Sequence, residues 1–298
     1  MSKLPRPEDA GGDHPGRVRA VVEAFEAATV AAQNAPTKSQ IAAALVTGDA
    51  SVLVEPYVRT LPGATPAAGA AEVEAFRTVL AANATEVFVE AGAAEMAGIT
   101  GALTFDLENP YASAFAKEFA ATRVTRIDDA TRLAIRQTIA ENVTSEIPTA
   151  QAVKRIRACI GLTPKQAEHV QRFAARMAAQ VEAGELKQSV ADKKVERAAA
   201  KKLRERAVMI ARTEVIEAEN AGTQASWDVA KSFGYLDAND KQEWIASVGS
   251  ERTCPTCGEL DGQKVPLNAP FVHPDGRTFT RPPAHPRCRC GVALEIGD

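Results

Sequence analysis

Apolar residues along this chain recur mostly three and four positions apart, a period that predicts helices through most of its length. The pattern begins after Arg17 with Val18, Val21, Val22 and Phe25. Thr37 and Gln40 have capping-box spacing ahead of a second run, Ile41 to Leu45. Pro and Gly then punctuate residues 61–69 as a loop. A long helix is expected from Glu72 to about Gly98, built on Val73, Phe76, Val79, Leu80, Val87 and Phe88. Pro110 suits a first helical turn before Phe115 and Phe119, and Asp128 is placed to cap a helix running through Ile139. Thr163-Pro164-Lys165-Gln166 is the clearest start signal, with Thr as N-cap, Pro at the first position and Gln at the third. From Ser189 to about Phe233 only Gly222 interrupts a helix whose buried stripe is Leu203, Ala207, Ile210 and Val215.

After Gly234 the pattern changes to that of short strands. Trp244 to Val248 has strand-like residues, and two turn signals, Asp261-Gly262 and Pro274-Asp275-Gly276, predict hairpins. The fold class read from these patterns is mainly α: a helical body carrying a small C-terminal α+β lobe.

Composition supports helices. Aromatic residues make up only 5% of the chain, so packing leans on Ala, Val, Leu and Ile. The overall charge of −3 does not suit a generic polyanion binder. Its distribution is uneven: residues 105–206 hold 19 Lys/Arg against 13 Asp/Glu, whereas the flanking stretches are acidic. The densest basic run is Lys193, Lys194, Arg197, Lys201, Lys202, Arg204 and Arg206, which suits either a packaged-DNA or acidic-protein contact or a solvated helix face. Residues 1–16 read as a disordered leader with no signal-peptide core, and Glu86, Glu90 and Glu95 break the most apolar stretch, so no membrane span is expected. Four segments follow: the 1–16 leader, an Ala-rich helical region 17–104, a basic helical region 105–206, and a final region 207–298.

Four of the five cysteines lie in that final region, as Cys254-Pro255-Thr256-Cys257-Gly258 and His285-Pro286-Arg287-Cys288-Arg289-Cys290. Two Cys-rich arms bracketing a hairpin-sized loop suit one tetrahedral zinc ion. The expected ligands are Cys254, Cys257 and Cys288, with either His285 or Cys290 as the fourth. Gly258 is expected to turn the chain through positive φ, with backbone N–H groups facing the sulfurs. A lobe of this size needs such a staple, since its own core is small. A redox CxxC, which belongs at a helix start in a βαβ unit, and plain buried thiols are the alternatives. His273 reads as an exposed turn residue, and the isolated Cys159 as a small buried hydrophobe.

These cysteines sit in a longer string: Arg212-Thr213-Glu214, Asn220, Gly222, Trp227, Lys241, Trp244, the Cys254/Cys257 pair, Leu260-Asp261-Gly262-Gln263, and Pro282-Pro283 leading to His285, Cys288, Arg289 and Cys290. In order and spacing it resembles the phage Mu F-like head morphogenesis family of minor capsid proteins. The likeness covers residues 207–292 most closely and reaches upstream through Phe105–Pro110, Ile127–Arg132 and Gly161–Thr163. It implies a structural virion protein, placed in the capsid interior or at the portal vertex after assembly in the host cytoplasm. Its implied partners are the portal protein and the major capsid protein, with no enzymatic reaction and no small-molecule substrate. Rival readings are a zinc-ribbon nucleic-acid-binding protein and an ADP-ribosyltransferase-like or nuclease toxin. Arg212 and Glu214 are expected to pin their helix to a neighbouring lobe, and Trp227 and Trp244 to anchor helix to zinc lobe.

Overall fold

The structure is a computed structural model that describes residues 15–34, 70–106, 161–246 and 253–297, together with the single positions 40, 110, 114, 133 and 158. Among the described residues four long helices belong to the body: α1 (Pro15–Asn34), α2 (Ala70–Ile99), α3 (Pro164–Glu182) and α4 (Gln188–Ser232). The lobe follows with β1 (Lys241–Ile245), α5 (Pro255–Leu260), β2 (Lys264–Pro266), β3 (Phe271–Val272), β4 (Thr278–Phe279) and β5 (Gly291–Glu295). The expected loop at 61–69, most of the elements expected around Ile41, Phe115 and Asp128, residues 1–14 of the leader, and Cys159 lie outside the described residues, while Pro15 and Gly16, expected in the leader, open α1.

The chain divides into two compact units that interleave in sequence. One comprises residues 20–79 and 120–208, the other residues 1–19, 80–119 and 209–298. Helices α2 and α4 each give their first part to one unit and their second part to the other.

In the first unit, Val21, Val22, Phe25 and Ala28 of α1 are buried, as are Val73 and Phe76 of α2. The Phe25 and Phe76 rings meet edge-on at 5.2 Å between centroids. Thr163 caps α3 in the predicted reciprocal way: its hydroxyl accepts from the Gln166 N–H, and the Thr163 N–H donates to Gln166 Oε1 at 3.1 Å. Gln166 also donates to the Lys202 carbonyl at 3.1 Å, tying the cap to α4. Arg206, read from sequence as part of a basic surface, is only 2% exposed. It donates to the Gly161 carbonyl at 2.6 Å and lies 5.5 Å from the Phe25 ring centroid. The reason is helical phase: Arg206 stands four residues before Ile210 and seven after Ala199, both buried, and shares their side of α4.

In the second unit α2 and α4 touch backbone to backbone. A Cβ at Gly222 of α4 would fall 2.1 Å from the Phe88 carbonyl oxygen of α2, so glycine here makes the close approach possible. Trp227, one turn further along α4, is buried and donates through Nε1 to Glu95 Oε1 at 2.8 Å. It therefore joins α4 to α2, whereas the sequence reading assigned it to the zinc lobe.

The lobe holds a three-stranded antiparallel sheet in the order β2-β1-β5 and a β3-β4 hairpin across the predicted Pro274-Asp275-Gly276 turn. The Asp261-Gly262 turn differs from expectation: it links α5 to β2, so it closes a helix-to-strand connection in place of a hairpin. Gly262 takes the left-handed conformation there, at φ +72°, and Asp261 Oδ1 accepts from the Ala246 N–H at 2.7 Å. The core of the lobe is Trp244, Ala246, Leu260 and Phe271 together with Cys257, Cys288 and Cys290.

Candidate metal centre

The first cysteine arm is built on the start of α5. Cys254 is the N-cap, with extended backbone, and its sulfur accepts from the Cys257 N–H at 3.4 Å. Pro255 fills the first helical position, where a missing N–H costs nothing. The N–H-to-sulfur contact expected of this arm is present, but Gly258 is helical and Gly262 makes the turn instead. The CxxC pair thus does start a helix, of six residues, without the βαβ frame of a redox motif.

The second arm runs from the buried Pro282 to Cys290. The Cys288 N–H donates to the His285 carbonyl at 3.1 Å, and Arg287 takes a positive φ of 68°, so the chain doubles back between His285 and Cys288. Thr213 Oγ1 on α4 accepts from the Arg287 N–H at 3.4 Å. The Arg212-Thr213-Glu214 string therefore meets the cysteine loop through its threonine, while Arg212 is exposed and Glu214 buried. Neighbours two apart on a helix face different ways, which is why these two charges do not act as one clamp.

All five sequence-predicted ligands converge. His285 Nε2 lies 3.0 Å from Cys254 Sγ and 3.2 Å from Cys257 Sγ. Cys257 Sγ lies 3.7 Å from Cys288 Sγ. Two ligand triads result, Cys254/Cys257/His285 and Cys257/Cys288/Cys290, each with its donor atoms within 4.8 Å of one another. Cys257 belongs to both.

Donor chemistry and spacing fit a metal ion. With metal–sulfur bonds of about 2.3 Å, the edge of a sulfur tetrahedron is roughly 3.8 Å, against which the Cys257–Cys288 separation is 3.7 Å. The crowded thiols also compete for protons. Hydrogen bonds from Cys257 and Cys290 bring Cys288 down to about 2. The Cys257 contact would lower Cys290, but Cys288 and burial outweigh it and push the Cys290 thiol up to about 12. Burial raises the Cys254 thiol less than the Cys257 N–H and thiol and the His285 ring lower it, for a net fall. Burial pulls His285 down, yet the Pro286 carbonyl, which its Nδ1 faces at 2.8 Å, and the nearby thiolates carry it up. The Cys288 thiolate thus holds Cys257 and Cys290 protonated, and a divalent cation is the group that lets several ionise together. The indole of Trp244, fully buried, has no acceptor of standard geometry for its N–H, and that N–H lowers the Cys290 thiol. Such a donor to a ligand sulfur is typical of the shell around a metal site.

His273, expected to be exposed, has a side chain only 11% accessible and pairs through Nδ1 with Asp275 at 2.8 Å. The aromatic hairpin of Phe271 and Phe279 carries it inward.

Two amides join α4 to the lobe: Asn220, quoted above only as a member of the family string, and Gln224, which the sequence pattern did not single out. Asn220 Nδ2 donates to the Cys290 carbonyl at 3.3 Å, and Asn220 Oδ1 accepts from the Val292 N–H at 3.0 Å. One turn on, Gln224 donates to Gln242 Oε1 at 2.7 Å and to the Thr280 carbonyl at 3.0 Å. Their signal was available: two amides one helical turn apart on the side of α4 that Ala221 and Ala225 bury. A separate cleft of about 430 Å³ in the first unit is lined mainly by alanines and other small or apolar residues, Val30, Ala174, Ala191 and Leu203 among them.

No helix among the described residues is long and apolar enough to cross a membrane. Neither a curated protein nor a solved structure matches the chain. A family model does: that of phage Mu protein F like proteins matches residues 133–293, a stretch that contains α3, α4 and the lobe through most of β5. Covering more than half of the chain, that match makes this protein a member of the phage Mu protein F-like family, at the level of phage head morphogenesis and minor capsid proteins.

Proposed function

We infer that the protein is a minor component of the phage head that acts in procapsid assembly through protein–protein contacts, near the portal, and takes part in DNA packaging or delivery. The observation that carries this reading is a cysteine cluster closed into the core of a lobe and bolted to α4, in a chain of this family. The portal protein and the major capsid protein are the proposed partners, and the virion the proposed location. Within the cluster one structural zinc ion is proposed, held by Cys254, Cys257 and Cys288 with His285 or Cys290 in the fourth position. Zinc would supply charge neutralisation and cross-linking of two chain segments; a full set of protein ligands leaves no open position for chemistry.

The exposed part of the basic run, Lys193, Lys194, Arg197, Lys201 and Arg204, presents Lys193, Arg197, Lys201 and Arg204 along one face of α4. It is the proposed contact for packaged DNA or an acidic partner surface, although Arg204 also pairs with Glu26 at 3.2 Å. A zinc-ribbon mode of nucleic-acid binding is less well supported. Of the lobe arginines among the described residues, Arg277 is engaged by Asp275 and Arg281 by Glu217 and Gln224, leaving Arg287 and Arg289 exposed.

The deciding experiment is quantitative mass spectrometry of purified procapsids and mature heads, with co-purification of the portal protein from cells expressing both. Presence in particles at a fixed low ratio to the portal is expected. Heads that assemble with full yield and contain none of the protein would overturn the reading.

A further inference from the structure

Strand β5 is an edge of the lobe sheet, and its outward backbone groups can be assigned residue by residue. Trp244 directs its N–H to the Gln263 carbonyl and its carbonyl to the Gly262 N–H, so the even-numbered residues of β1 face β2. The odd-numbered residues of β1 therefore face β5, and Lys241, Glu243 and Ile245 form hydrogen-bonded pairs with Glu295, Ala293 and Gly291. The backbone groups of Cys290, Val292, Leu294 and Ile296 must then point away from β1. Two bonds agree: the Val292 N–H reaches Asn220 on the outer side, while the Gly297 N–H reaches Asp240 Oδ1 on the inner side, at 2.9 Å.

Asn220 covers only the first part of this edge. Its one carboxamide takes both the Cys290 carbonyl and the Val292 N–H, as a residue of an adjacent strand would. Beyond it, the Val292 carbonyl, both groups of Leu294 and the Ile296 N–H have no partner among the described residues. Ile296, at the open end, is 70% exposed. No lysine, proline or bulge, the usual guards of an edge, interrupts residues 291–296.

We propose that this open half of β5 pairs with the same strand of a second copy of the chain, antiparallel and centred on Leu294, to join two lobe sheets into one. The register follows from self-complementarity. Centred on Leu294, the pairing sets Leu294 opposite Leu294 and Val292 opposite Ile296, and uses the unpartnered groups in four reciprocal hydrogen bonds. The Val292 N–H, already held by Asn220, is the one outward donor left out. A centre at Glu295 would set two carboxylates directly opposite each other, and a centre at Ala293 would need the occupied Val292 N–H. On the other sheet face, Glu295 stands opposite Ala293 and keeps its ion pair with Lys264. A short ladder of this kind is a weak contact on its own and gains strength where copies are held at high local concentration, as on a shell.

Sedimentation velocity of the full-length protein, from about 10 µM to about 1 mM, combined with hydrogen exchange of the Leu294 and Ile296 amides, tests this. The expected result is a reversible monomer–dimer equilibrium with exchange at both amides slowing at least tenfold as dimer fills. Ile296→Lys, a change at an exposed side chain, should shift dissociation at least tenfold toward monomer with an unchanged circular dichroism spectrum. Leu294→Pro, which removes an outward donor from an edge strand, should do the same. A protein that stays monomeric throughout overturns the proposal, as does a dimer that Ile296→Lys leaves intact or in which the Leu294 amide exchanges as in the monomer.

Discussion

Gly222→Ala provides the sharpest test of how the second unit is packed. A methyl group at this position would lie 2.1 Å from the Phe88 oxygen, 2.9 Å from its carbonyl carbon and 3.1 Å from the Gly92 nitrogen. Carbon–oxygen contacts settle at about 3.3 Å or more, so α2 and α4 would have to part by roughly 1 Å. All three obstructing atoms are backbone, and no rotamer change relieves them. Overpacking of this kind costs about 1–3 kcal/mol, while replacing a mid-helix glycine by alanine returns about 1 kcal/mol. Parting the helices also lengthens the Trp227–Glu95 bond, which places the net loss near 2 kcal/mol. The melting temperature should fall by about 4–8 °C at roughly 2–4 °C per kcal/mol. Both tryptophans of the chain, Trp227 and Trp244, belong to this unit, so intrinsic fluorescence during urea or thermal unfolding reports on it directly. Gly258→Ala is the matched control, because that helical position has nothing within 4 Å of the added methyl and should be neutral or stabilising by up to about 1 kcal/mol. If Gly222→Ala melts at or above the wild-type temperature, the close crossing of α2 and α4 is wrong.

Three further outcomes are expected. Purified protein should carry about one zinc per chain by plasma mass spectrometry, and Cys288→Ser or a strong chelator should remove it and unfold the lobe, given on the order of 10 kcal/mol of coupled binding free energy; a metal-free lobe with native Trp244 fluorescence contradicts the staple. Glu95 has a carboxyl raised by burial, against a smaller lowering from the Trp227 N–H, so its contribution to stability is complete at acid pH and is lost as pH rises through its folded value. Glu95→Gln should therefore gain stability relative to wild type at pH 8 and lose that advantage at pH 4, and a difference that stays flat between the two removes Glu95 as the cause. Asn220→Ala, which strips partners from the buried Cys290 carbonyl and from the Val292 N–H, should cost about 1–3 kcal/mol in urea unfolding, and an unchanged midpoint refutes its role in holding β5 to α4.

Much of the helical body was legible because helix signals are local. Thr163, Pro164 and Gln166 make their cap within four residues, and α2 and α4 end within two residues of where their apolar patterns end. The lobe was legible in kind but not in its connections. Asp261-Gly262 forms a turn under any circumstances, yet whether it joins two strands or a helix and a strand depends on what Cys254 and Pro255 start upstream. Arg206 shows the same limit. The residues before it include Lys201, Lys202, Arg204 and Glu205, all charged, and Gly161 and Phe25, distant in sequence, are what make a buried place for it.

The sequence by itself determined which residues could bind metal, since Cys254, Cys257, His285, Cys288 and Cys290 are few, reactive and spaced as two arms. It also determined the family, through the ordered string from Arg212 to Cys290. Only the tertiary structure decided that the arms meet with Cys257 common to both triads, that Asn220 and Gln224 fasten the lobe to α4, and that half of β5 has no partner among the described residues. Helix caps and ligand spacing arise from contacts a few residues apart. A shared sulfur, an amide reaching across seventy positions and an unpaired strand edge arise from packing between distant segments, which no local pattern encodes.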